Sequence, residues 1–225
     1  MNLNSDLGEA AGPEAEILPL IDSANVCCGV HAGSVTASLE TVRRCHQLGI
    51  EVGAHPGYDD RANFGRVEVP LRPEEIEQLV RFQVGALAAV ASLGYIKVHG
   101  ALYHRCQADP AAADALARVA RDFGVGLLGQ PGFEILVAAR RAGVPGHREG
   151  YADRAYLPDG RLRPRTEKGA VLSPEEAAEQ ALRLLRSGDY DTVCVHGDSP
   201  GSAQVVHTVR EGLRQAGVRT GPLKR

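Results

Sequence analysis

Four of the chain's eight histidines share one local setting: a short apolar run, the histidine, then a small or turn-forming residue. They are Gly-Val-His31-Ala-Gly, Gly-Ala-His55-Pro-Gly, Lys-Val-His99-Gly-Ala and Cys-Val-His196-Gly-Asp. Apolar runs bounded by Gly or Pro read as buried strands, so each imidazole stands where a strand leaves its sheet. In α/β proteins that edge carries the active site. One histidine in such a place is as readily a satisfied structural residue as a functional one. Four in equivalent positions imply one polar cluster at one end of one sheet.

The other residues that follow strands are of the same kind. Asp6 and Glu9 follow the first, Cys28 the second together with His31, and Tyr58, Asp59 and Asp60 the third after His55. Further on come Tyr103 and His104 after His99, then Gln130, Asp153 with Arg154, and Asp198 after His196. Carboxylates and imidazoles held close and partly desolvated set one another's pKa, which general acid/base chemistry near neutral pH uses. The set fits hydrolysis of a small polar substrate. Asp6, His31 and His55 could also hold a divalent ion with open positions, although no tight H-x-x-x-H spacing argues for it. Cys27 and Cys28 could furnish a thiolate, but buried, inert cysteine is the favoured reading. Arg66, Arg154 and Arg165 lie in two long loops and could fork onto a carboxylate or phosphate, or serve only in salt bridges. Arg154 stands out because Asp153 precedes it, and Lys97 because it lies beside the strand end at His99. His46, His147 and His207 lack the shared setting and read as surface or packing residues.

The elements that must position these groups alternate regularly. Strands are expected at Met1 to Asn4, Ser23 to Cys28, Ile50 to His55, Tyr95 to His99, Val125 to Gly129, His147 to Tyr151 and Thr192 to His196. Helices are expected between them: Pro13 to Ile21; one with Leu39, Val42, Cys45 and Leu48 on its apolar face; one opened by Pro73 with Ile76, Leu79, Val80, Val84, Leu87 and Val90 inward. Others follow from Asp109 as N-cap, over Phe133 to Ala142, and from Ser173, where Glu176 completes a capping box. A last stripe runs Ala203, Val206, Val209, Leu213 and Ala216. Seven consecutive βα units predict a parallel sheet, and suit a closed or nearly closed seven-stranded parallel β/α barrel, distorted and TIM-like, better than an open doubly wound sheet. A barrel projects every strand end toward one mouth.

Composition narrows the class. The 225 residues, 44% hydrophobic and 24% charged, contain no linker-like stretch and predict one globular domain over 1–225. The formal charge of -3 and scattered arginines argue against nucleic acid. No apolar run approaches the roughly 18 residues of a membrane span, and no signal segment is seen, so a cytoplasmic location is expected. Five cysteines without a C-x-x-C pair suggest reduced thiols rather than disulfides or structural zinc. No Gly-Lys dipeptide occurs, so no P-loop is present.

Seven segments in order resemble the lactam-utilisation (LamB/YcsF) family, the A subunits of bacterial 5-oxoprolinase. They are Leu3-Asn4-Ser5-Asp6-Leu7-Gly8-Glu9; Ser23-Ala24-Asn25 through His31-Ala32-Gly33; Gly53-Ala54-His55-Pro56-Gly57-Tyr58; and Phe64-Gly65-Arg66. The last three are His99-Gly100-Ala101-Leu102-Tyr103, Ala152-Asp153-Arg154-Ala155-Tyr156 and Val195-His196-Gly197-Asp198. Against the family pattern the chain has Ser5 for Cys, Val30 for Phe, Ser34 for Asp and Val98 for Pro, with a short segment between Glu9 and Pro13.

The resemblance implies a seven-stranded barrel related to carbohydrate deacetylases. It also implies ATP-dependent opening of 5-oxo-L-proline to L-glutamate with partner subunits B and C, using ATP with Mg in the complete complex. With the chemistry above it makes Asp6, His31, His55, His99, His196 and Asp198 the catalytic candidates: Asp6 or His55 as base for water, His99 and His196 on the oxyanion or leaving nitrogen. Glu9, Lys97, Tyr103, Asp153 and Arg154 become substrate-binding candidates, Arg154 or Lys97 gripping the substrate carboxylate. Two other readings stay open: a stand-alone metal-dependent deacetylase or amidohydrolase, and a non-catalytic lactam-binding subunit. Each is compatible with a homo-oligomer.

Overall fold

A computed structural model of the chain describes residues 1–199 and 201–223. Seven strands, β1 (Asn2–Leu7), β2 (Ser23–Cys27), β3 (Glu51–His55), β4 (Leu93–Ile96), β5 (Gly126–Gly129), β6 (Gly146–Tyr151) and β7 (Thr192–His196), form a closed barrel in sequence order. Every pairing is parallel, and β7 closes on β1 with His196 beside Asp6. The helices are α1 (Glu14–Ile17), α2 (Val35–Leu48), α3 (Pro73–Ala88), α4 (Gly100–Ala108), α5 (Pro110–Phe123), α6 (Glu134–Ala142), α7 (Pro174–Ser187) and α8 (Ser202–Gln215). Among the described residues no helix is long and apolar enough to cross a membrane.

The outward faces of the strands are apolar and pack under the helices. Leu3 and Leu7, Ala24 and Val26, and Val193 and Val195 are all buried in that layer. The inward faces of β1, β2 and β6 are polar, which is where the strand readings fall short. Strand β1 extends past Asn4 to Leu7 because Asn2, Asn4 and Asp6 alternate toward the barrel axis and find partners there. Thr192 Oγ1 donates to Asn2 Oδ1 at 2.7 Å, Asn25 Nδ2 donates to Asn4 Oδ1 at 2.7 Å, and Tyr95 Oη donates to Asn25 Oδ1 at 2.7 Å. Gly53 makes room for that tyrosine: a Cβ there would fall 2.1 Å from the Tyr95 ring.

Other boundaries shift for local reasons. The first helix stops at Ile17 and continues as a 3₁₀ turn over Leu18–Leu20, because Pro19 has no N–H to give. Helix α2 turns Ser38, Thr41, Val42 and Cys45 inward, spaced for a helix face, and leaves the expected Leu39 and Leu48 exposed. Helix α3 ends at Ala88, so Val90 lies beyond it and is exposed. Helix α4 follows His99 directly and is an element the apolar pattern does not announce. Strand β6 begins at Gly146, one residue before the expected His147. The caps agree with expectation: Asp109 accepts from the N–H groups of Ala111 and Ala112, and Ser173 with Glu176 forms the capping box.

Candidate active site

Strand β1 brings Asp6 to the carboxyl end of the barrel, and the turn after it carries Glu9 inward. His55 ends β3, His196 ends β7, and His31 and His99 sit in the first residues beyond β2 and β4. All four imidazoles gather at this mouth. His31 and His99 stack with ring centroids 4.0 Å apart and planes 4° from parallel, while His55 meets each edge-on. Glu9 Oε1 lies 3.3 Å from His31 Nε2, 3.4 Å from His99 Nδ1 and 3.8 Å from His55 Nε2.

Backbone carbonyls fix which nitrogens of this cluster are bare. His55 Nδ1 lies 2.7 Å from the Lys97 carbonyl and His99 Nε2 lies 2.9 Å from the Phe64 carbonyl, so those nitrogens carry the protons. The lone pairs of His55 Nε2 and His99 Nδ1 then face each other at 3.0 Å beside the Glu9 carboxyl. Two acceptors so close need a proton or a cation between them. Glu9, His31, His55 and His99 each offer one donor atom, all within 4.8 Å of one another, a set that could hold a metal ion. The oxygen-bound outer nitrogens are the arrangement that orients histidine ligands in metal sites. The sequence pattern groups Asp6 with His31 and His55 for this purpose, and here the fold departs from it. Asp6 sits beside the cluster, 3.6 Å from His55 Nε2, but its Oδ1 is taken by Lys97 at 2.8 Å and Asn25 at 2.7 Å.

Charge state follows from burial. Desolvation pulls His31 down to about 3 and His55 down to about 4, and holds His99 well below the ordinary imidazole range, the neighbouring imidazoles adding to this for His31 and His99. Burial, then Asp6 and Asp198, push Glu9 well up. Burial alone would raise Asp6, but Lys97, His55 and His196 outweigh it and keep the carboxylate ionised. The histidine shifts have a sign that can be measured. The unfolded chain takes up protons near pH 6.5 while the folded His55 waits until about pH 4. Stability present above about pH 6.5 is therefore lost as pH falls toward 4, by roughly 3 kcal/mol for His55 alone. Denaturant titrations of chelator-treated protein across that window should show the loss. A flat profile would contradict a neutral buried cluster.

A second group adjoins the first. His196 Nδ1 lies 2.9 and 3.0 Å from the two oxygens of Asp153, which also accepts from the His196 backbone N–H at 3.2 Å. The Tyr151 ring stacks on the imidazole with centroids 5.3 Å apart. His196 Nε2 is left facing Asp6 Oδ2 at 3.9 Å. A buried carboxylate thus fixes the orientation and tautomer of this imidazole, an arrangement suited to acid/base chemistry.

The remaining candidates are placed differently. Lys97 is buried between Asp6 and Glu149, and Arg154 donates through Nε to the Ala170 carbonyl and through Nη2 to the Arg163 carbonyl. The Tyr103 hydroxyl accepts from Gln107, and its ring packs edge-on against Tyr151. Asp198 pairs with Arg66 and Arg165. His104 is exposed, and Gln130 holds the Gly160 carbonyl. Cys27 lies 3.4 Å from His31 Nε2, yet burial pushes its thiol up to about 12, which leaves it protonated. Glu149 and Asn25 are site residues the sequence reading missed. Their one signal is alternation, since Glu149 shares the inward face of β6 with Tyr151 and Asn25 that of β2 with Cys27.

The LamB/YcsF family profile matches residues 1–225. The chain belongs to that family. A LamB/YcsF relative from Symbiobacterium thermophilum, named as the A subunit of 5-oxoprolinase, is 42% identical over 98% of this chain and 94% of its own length. The crystal structure of a lactam utilization protein from Thermus thermophilus superposes with a TM-score of 0.90 at 39% identity, covering 98% of both chains. A family 4 carbohydrate esterase from Streptomyces lividans shares the fold, with a TM-score of 0.57 at 10% identity over all of this chain and 92% of that one. This LamB/YcsF chain thus shares its family with proteins named for 5-oxoprolinase and lactam utilization, and its barrel with the esterase.

Proposed function

We propose that this chain is the A component of an ATP-dependent 5-oxoprolinase, holding 5-oxo-L-proline at the barrel mouth while the ring amide is opened to L-glutamate. The observation that carries the reading is the pairing of the Asp153-oriented His196 with Asp6 across a 3.9 Å gap, beside the Glu9 and histidine cluster. Bare Nε2 of His196 takes a proton from water as the oxygen attacks the amide carbon. The C–N bond then breaks, and the same nitrogen returns the proton to the departing ring nitrogen. Asp6, ionised beside Lys97, orients the water and steadies the imidazolium. Glu9, His31, His55 and His99 would hold a divalent ion, whose chemistry when bound is to polarise a carbonyl oxygen. A five-membered lactam recloses readily, so opening is coupled to ATP through phosphorylation of the ring carbonyl oxygen: ADP leaves, water attacks the activated carbon, and phosphate departs when a second water hydrolyses the acyl phosphate left after C–N cleavage. Because no P-loop is present, nucleotide activation is placed with partner subunits B and C, with Mg.

One observation favours a second reading. The four-donor cluster suits a stand-alone metal-dependent amidohydrolase. Assays of the purified chain with and without both partners, ATP and a chelator separate the two. Glutamate release requiring ATP and both partners is the expected result. Release by the chain alone, indifferent to ATP and abolished by chelation, would establish the second reading instead.

A further inference from the structure

Two arginines at the mouth converge on one carboxylate. Arg66, in the loop after β3, binds Asp198 Oδ2; Arg165, in the loop after β6, approaches Asp198 Oδ1 at 3.6 Å and donates to Ser199 Oγ at 3.3 Å. Asp198 itself lies two residues beyond His196. One anion therefore ties together three loops, each from a different strand.

The arrangement lies over the reacting groups. Phe64 and Gly65 both adopt left-handed backbone angles, φ 58° and 63°, unusual for phenylalanine. That turn aims the Phe64 carbonyl at His99 and brings Gly65 so close that a Cβ would fall 2.9 Å from His31 Cβ and 3.1 Å from His99 Cδ2. Arg66 is the next residue, with its guanidinium over the Phe64 ring at 4.8 Å from the centroid. The side chains of Arg66 and Arg165 are 39% and 24% exposed, so solutes reach them. Two cations facing one anion leave a surplus positive charge, and the forked geometry suits a second carboxylate in place of the first. Other cations near the mouth have internal partners: Lys97 is held by Asp6 and Glu149, Arg154 donates to the carbonyls of Ala170 and Arg163, and Arg61 to those of Gly29, Ala32 and Gly33.

We infer that Arg66 and Arg165 form the receptor for a substrate carboxylate, and that Asp198 is a built-in competitor that ties the mouth loops until the substrate displaces it. The inference rests on the lactam reading above and makes the substrate class specific: small anionic lactams in preference to the uncharged ring.

Calorimetric titration of the full chain with 5-oxo-L-proline, glutarate and uncharged 2-pyrrolidinone tests it. Arg66→Gln and Arg165→Gln are each expected to weaken 5-oxo-L-proline by about tenfold or more, the scale of a charge-assisted hydrogen bond, with 2-pyrrolidinone unchanged. Arg66→Lys, which keeps the charge and loses the fork, should fall between. Asp198→Asn should tighten both carboxylates and leave 2-pyrrolidinone alone. If glutarate binds with the same arginine dependence and 5-oxo-L-proline does not bind, the carboxylate receptor stands and the lactam reading falls. Carboxylate binding indifferent to both arginines, equal losses for the charged and uncharged rings, or no binding of either carboxylate overturns the inference.

Discussion

Replacing His196 with asparagine is expected to lower kcat for ring opening by about 10²- to 10⁴-fold, the usual contribution of a positioned acid/base group, while the protein still folds. The choice of residue matters. Asparagine Nδ2 can occupy the place of His196 Nδ1, which lies 2.9 Å from Asp153 Oδ2, so the buried carboxylate keeps a donor. What disappears is Nε2, the only ring atom of His196 turned toward Asp6. Alanine would confuse the two effects by leaving Asp153 with the backbone N–H of residue 196 alone. Asp153→Asn asks the complementary question. Burial opposes ionisation of Asp153, but His196, acting through charge and hydrogen bonding, keeps its carboxyl below the usual range. An amide there no longer enforces the Nδ1–H tautomer, so kcat should drop with KM little changed. Steady-state kinetics of the assembled enzyme, with a thermal melt of each variant, provide the test. A His196→Asn enzyme within threefold of wild-type kcat would remove His196 from the proton-transfer role.

The residues in this argument differ in how legible they were. The four histidines announced themselves because apolar runs lead up to them, and the βα rhythm carried those runs to one edge of one closed sheet. The Asp153 to His196 contact joins residues 43 positions apart, one just beyond β6 and the other at the end of neighbouring β7, and strand order with parallel register suffices to expect it. Partnership inside the barrel was not legible. Strands β1, β2 and β6 are polar on the inward face, so Asn4, Asn25 and Glu149 look like ordinary solvent-side alternation. Only closure of the sheet reveals that this side has no solvent. The same ambiguity truncated β1 at Asn4 and made Lys97 look available. Arginine roles stayed open for another reason: Arg66, Arg154 and Arg165 sit in loops without periodicity, and nothing local says which guanidinium meets a backbone carbonyl and which meets the mouth.

Lys97→Met is expected to destabilise the protein by about 3–5 kcal/mol, the cost of breaking a buried ion pair from one side. The ammonium is 2% exposed and its three hydrogens have three acceptors: Asp6 Oδ1 at 2.8 Å, Cys194 Sγ at 2.9 Å and Glu149 Oε1 at 3.1 Å. Burial alone would strip its proton, but Asp6, Cys194 and Glu149 together hold Lys97 well above the ordinary amine range. On the other side, burial pushes Glu149 up against the pull of Lys97, so the cation chiefly serves Asp6. Methionine fills similar space and removes the charge. Asp6 must then either remain an uncompensated buried anion or take a proton, and in the second case it no longer opposes His196 as a carboxylate. At roughly 2–4 °C per kcal/mol for a chain of this size, the melting temperature should fall by about 6–20 °C. Lys97→Met combined with Asp6→Asn separates the two consequences, because it removes the orphaned charge together with its partner. The double variant should recover much of the lost stability and none of the activity, giving a coupling energy of opposite sign to the single losses. Additive losses in the double variant would show that Lys97 acts through packing alone, and that Asp6 stays ionised by some other means.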